Sequence, residues 1–87
     1  MRDIVAIQCD CNANLDIDGF YCRDDLEEQC EYLGQPKKNW MSHLFGHLFA
    51  DYSDWSEELE TAFMNDSLTK MTVNLDGDVV TIKKIYR

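Results

Sequence analysis

The dipeptide Asp76-Gly77 constrains this chain more than any other feature. Runs rich in β-branched residues flank it, and a two-residue type I′ turn favours this pair because both central positions need positive φ. In that register Val73 opposes Val80 and Met71 opposes Ile82. Side chains alternate along a strand, so Met71, Val73, Leu75, Val80 and Ile82 share one face while Thr72, Asn74, Thr81 and Lys83 share the other. An isolated hairpin is marginal in water, so the rest of the chain has to cover its apolar face.

The preceding segments read as that cover. Asp3 to Cys9 is short and rich in Ile and Val, which predicts a strand buried on at least one face. Residues 10 to 19 are polar, and Asn12, Asn14, Asp16, Asp18 and Gly19 all favour turns. Asp24 is expected to cap a first helix, with Glu27 completing a capping box. Leu26, Cys30 and Leu33 then share one helix face, and Gly34 and Pro36 end it. Asn39 can cap a second helix whose Met41, Leu44, Phe45, Leu48, Phe49 and Tyr52 form the strongest apolar stripe. Ser53 or Asp54 is expected to cap a third, with Trp55, Leu59 and Phe63 on its apolar face and Glu57, Glu58 and Glu60 outside it. The predicted order is β-α-α-α-β-β. It implies a single α+β domain over residues 1–87, in which the N-terminal strand joins the C-terminal hairpin in a small antiparallel or mixed sheet against three helices.

Composition supports a packed domain: 45% of the 87 residues are apolar and 11% aromatic, so the high charge does not imply disorder. No stretch approaches the roughly 20 apolar residues of a membrane span. The apolar run near Met1 is too short for a secretory signal, so the expected location is the cytoplasm, with the four cysteines reduced. In an oxidising compartment the same four would admit three disulfide pairings.

Seventeen acids face eight bases, for a net charge of −9. The excess is concentrated between residues 10 and 66, where fourteen acids meet only Arg23, Lys37 and Lys38. Such a surface repels nucleic acid and anionic membrane and attracts a basic partner.

Two metal readings deserve weighing. Asn14, Asp16, Asp18, Gly19 and Asp25 fall at positions 1, 3, 5, 6 and 12 of the EF-hand calcium register, where a hard cation collects oxygens around a glycine turn. Position 1 is Asn, position 12 is Asp rather than Glu, and a strand precedes the loop; an Asx-rich turn before a capped helix explains the same residues. Cys9, Cys11, Cys22, Cys30, His43 and His47 could supply a zinc site, since His43 and His47 lie four apart on one helix face. Yet there is no C-x₂-C pair, and Cys30 already has a place on an apolar face. No cofactor is expected.

Catalytic signatures are missing. The glycines Gly19, Gly34, Gly46 and Gly77 are too scattered for a phosphate loop, there is no G-x-S-x-G, and nothing marks a cysteine as activated. The expectation is a non-enzymatic protein. The remaining candidate is the acidic surface: Asp24, Asp25, Glu27, Glu28 and Glu31 crowd one helix, and Asp51, Asp54, Glu57, Glu58 and Glu60 crowd the start of another. Carboxylates held on helices can stand in for the phosphates of a nucleic-acid strand and occupy a basic groove. Some of these acids also complement helix dipoles and keep a small protein soluble. Trp40, Trp55 and Phe20-Tyr21 can anchor a partner or seal the core.

No family motif is present. In size, acidity and lack of catalytic signature the chain resembles the small inhibitors that bacteriophages use against host nucleases or CRISPR complexes. That resemblance implies a partner protein with a positively charged surface, such as a nucleic-acid-binding complex. It implies no direct binding of nucleic acid or membrane, and no residue role.

Overall fold

A computed structural model describes residues 3–11, 18–65 and 68–87. Its elements are β1 (Ile4–Cys11), β2 (Gly19–Cys22), α1 (Arg23–Tyr32), α2 (Trp40–Phe49), α3 (Glu57–Met64), β3 (Lys70–Leu75) and β4 (Asp78–Tyr86), with a 3-10 turn at Lys37–Asn39 before α2. The α+β class and the three helices are as expected. The sheet is antiparallel throughout, in the order β2-β1-β4-β3.

The hairpin register is the predicted one, with Val73 opposite Val80 and Met71 opposite Ile82. Asp76 and Gly77 adopt φ of 53° and 91°, and the Asn74 Oδ1 accepts the Gly77 N–H at 3.0 Å. β4 then pairs with β1, placing Ile82 beside Cys9 and Lys84 beside Ile7. β1 runs two residues further than expected and gains a partner the sequence reading missed. Residues 19–22 form the edge strand β2, with Tyr21 opposite Ile7 and Phe20 opposite Gln8. A four-residue segment carries too little alternation to show as a strand by periodicity; pairing with β1 makes it one.

The sheet's inner face (Ile7, Cys9, Val73, Leu75, Val80, Ile82) meets Leu26, Cys30, Met41, Leu44, Phe45, Phe49 and Phe63 from the helices. Aromatic rings knit α2 to α3 and to the segment before it: Phe45 lies 5.6 Å from Phe63 and Phe49 lies 4.6 Å from Trp55, centroid to centroid. Trp40 is buried and Trp55 half-buried, so both tryptophans serve the core. Lys84 is the one buried charged residue among those described. Its Nζ donates to the Asn65 carbonyl at 2.9 Å and stands 4.9 Å from the centre of the Phe63 ring.

Three helix boundaries differ from expectation. α1 starts at Arg23 behind Cys22, without a side-chain cap, so Asp24 lies in its first turn instead of capping it. β2 passes straight into α1, which leaves no free turn for an Asx cap. Asn39 does precede α2, but its side chain makes no capping hydrogen bond. α3 is capped by Ser56, whose Oγ accepts the Leu59 N–H at 3.3 Å, and not by Ser53 or Asp54. Asp54 is drawn elsewhere: its Oδ2 accepts the Asp76 N–H at 2.8 Å and ties the helical layer to the hairpin turn.

Candidate functional site

Two sets of acids were expected, and the structure uses their members unequally. On α1, Glu27 pairs with Arg23 at 3.5 Å, and Glu31 with Lys37 at 3.5 Å. Arg23 is itself held by the fold, donating to the Ile4 carbonyl at 3.0 Å and lying over the Trp40 ring at 5.3 Å. Asp24, Asp25 and Glu28 face solvent and form no ion pair among the described residues. The same is true of Asp51, Glu57 and Glu58 on the α3 side, whereas Asp54 is engaged with the hairpin. Glu60 is half-buried, and burial, reinforced by the neighbouring Glu57, raises its pKa above the ordinary carboxylate value. Glu57, Glu58 and Glu60 lie in the first turn of α3, where negative charge complements the helix dipole. α2 packs against both α1 and α3, so the two acidic sets sit on separate helices of one layer.

Between α1 and α2 runs an open groove of about 630 Å³, lined by Asp25, Glu28, Tyr32, Leu33, His43 and His47. That volume lies within the range of about 300–1,000 Å³ typical of ligand clefts. Its apolar end consists of Tyr32, 90% exposed, and Leu33, 56% exposed. The sequence reading placed Leu33 on the core face and gave Tyr32 no role. The correction has a local cause. α1 ends at Tyr32 in a Schellman turn, with Gly34 at φ 75°, Gln35 N–H bonded to the Cys30 carbonyl at 2.8 Å and Gly34 N–H to the Glu31 carbonyl at 3.0 Å. Leu33 keeps a helical N–H bond to the Gln29 carbonyl at 3.1 Å and is the last residue before the chain turns, so it stands at the helix's end and stays exposed. His43 Nε2 lies 3.1 Å from Gln29 Oε1, which fixes its ring at the groove wall. A second depression shares His43 and His47 with this groove and is lined also by Gln35, Asn39, Ser42 and Gly46.

The metal candidates are dispersed. Cys9 is buried on the inner sheet face and Cys30 is buried on α1, while Cys22 is exposed on the opposite sheet face and Cys11 is half-buried. His43 and His47 line the groove, apart from all four thiols. Asp18 accepts the Cys11 N–H at 2.9 Å, and Asp25 sits in α1. Asn14 and Asp16 lie outside the described residues. Among the described residues no three His, Cys, Asp or Glu side chains converge as a metal site. Burial pushes the Cys9 thiol up to about 12, with the charges of Asp10 and Asp18 adding to the effect. A thiol so placed stays protonated and unreactive near neutrality.

No helix among the described residues is long and apolar enough to cross a membrane. Compared with family models, curated proteins and solved structures, the chain matches none.

Proposed function

We propose that this is a non-enzymatic binding protein whose acidic helical layer occupies a positively charged surface of a partner protein. The observation that carries this reading is the set of exposed acids on α1 and α3, Asp24, Asp25, Glu28, Glu57 and Glu58, that no cation of the fold neutralises among the described residues. The bases are placed otherwise: Arg23 bridges β1, α1 and Trp40, Lys84 is buried, and Lys70 and Lys83 pair across β3 and β4 on the outer sheet face. Arg23, Lys37 and Lys38 are the cations of the helical layer among the described residues, and its acids outnumber them, so its net field is negative. Basic surfaces of the required kind are those that handle nucleic acid, and an acidic module held against one would act as an inhibitor by occupancy. The four cysteines, none of them joined in a disulfide, suit a reducing compartment such as the cytoplasm.

The test is capture of proteins from a lysate on the immobilised chain, at about 50 mM and about 500 mM salt. Capture through exposed carboxylates should fall steeply with salt. It should also be lost on Glu28→Lys/Glu58→Lys but kept on Asp3→Lys/Asp10→Lys, which changes net charge equally at exposed acids of the sheet side. Equal loss from both variants would reduce the effect to net charge and overturn the surface.

A further inference from the structure

The groove between α1 and α2 combines three features that the fold itself does not use. Its rim carries Asp25 and Glu28, exposed and without an ion pair among the described residues. Its end carries Tyr32 and Leu33, two adjacent apolar side chains left in water at 90% and 56% exposure. A neighbouring depression that shares His43 and His47 with it is lined by Gly46, in the middle of α2, where a Cβ would meet nothing within 4 Å. A glycine inside a helix is destabilising relative to alanine, and this one has neither a positive φ nor a packed neighbour to require it. Its bare backbone leaves room there for another chain to come close.

Resting on the reading above, we infer that this groove seats a segment of the partner protein that bears lysine or arginine beside a large apolar side chain. The cationic groups would meet Asp25 and Glu28. The apolar side chain would cover Tyr32 and Leu33, and the segment's backbone would pass over Gly46. The charge complementarity selects a basic occupant, and the exposed apolar pair selects one that is not merely basic. An aromatic contact such as Tyr32 offers supplies anchoring that screened surface charges do not.

Two synthetic peptides of equal positive charge serve as probes, one with glycine between its lysines and one with leucine at every fourth position. Affinity and backbone amide shifts are measured for the wild type, Tyr32→Ser and Gly46→Gln; the glutamine enters open space, and the amide spectrum verifies the fold. The leucine peptide should bind the wild type roughly tenfold more tightly, as burial of one leucine side chain requires. Its shifts should centre on Tyr32, Leu33 and Gly46, and each variant should erase the preference. Equal affinity for the two peptides, a preference surviving both variants, or shifts confined to α3 would overturn the groove while leaving the acidic surface standing. Binding of neither peptide would overturn both. Self-association through the groove would assign it to a second copy of this chain and overturn the proposal.

Discussion

In the β3–β4 hairpin, side chains serve the fold. Val73, Leu75, Val80 and Ile82 are buried, Asn74 closes its turn, Asp54 reaches over to hold Asp76, and Lys84 is buried against Phe63 and the Asn65 carbonyl. The outer faces of α1 and α3 contrast with this. Asp24, Asp25, Glu28, Glu57 and Glu58 project into water without ion pairs among the described residues, and Tyr32 and Leu33 stay exposed in one groove with Asp25 and Glu28. Residues that the fold does not require are the ones free to serve a partner. The difference therefore separates substitutions that should unfold the protein from those that should only disarm it.

The largest effects belong to the interior. Phe45→Ala removes a ring packed on Phe49, Trp55 and Phe63 and should cost about 3–5 kcal/mol in a urea titration. A loss under about 1 kcal/mol would mean that the aromatic cluster is not the centre of the core. Ser56→Ala should cost about 1 kcal/mol, because the Leu59 N–H loses its acceptor. Asp54→Ala should instead loosen the hairpin turn, seen as faster amide exchange at Asp76, and leave α3 intact. Equal effects of the two on α3 would break the distinction between cap and tie.

Gly46→Ala runs the other way and should stabilise the domain by about 0.5–1 kcal/mol, since the methyl group enters open space on a helix. The smallest stability effects are expected outside the core: Glu28→Lys/Glu58→Lys should stay within about 0.5 kcal/mol of the wild type in the same titration. Alkaline pH sharpens the contrast from the interior side. The Cys9 thiol is raised from 9.0 to about 12, so the stability it contributes is fully present below pH 9 and is lost as pH rises toward 12. Cys9→Val should flatten that part of the stability profile, and an unchanged slope would assign it to other groups.

Much of the interior was legible because it rests on periodicity and turn chemistry. Asp76-Gly77 set the hairpin register, and the Met41–Phe49 stripe marked α2. The parts that were not legible depend on where chain segments meet. β2 exists because β1 offers it an edge, and Asp54 turns from cap to tie because the hairpin turn comes within reach. The acids of the candidate surface could be named from sequence, but which of them Arg23 and Lys37 would claim could not. The groove was missed because a 3.6-residue period places Leu33 on the core face, whereas at the end of the helix it is left exposed. Gly34 and Pro36 signalled the end of the helix, though not that its last apolar residue would stay uncovered.

The most direct test of the central claim is the paired capture experiment at low salt, with the helix-side and sheet-side charge reversals compared in parallel. Loss of the bound partner with Glu28→Lys/Glu58→Lys, and its retention with Asp3→Lys/Asp10→Lys, is the expected result. Retention by the helix-side variant, with its fold intact, would contradict the claim that the acidic helical layer is the binding surface.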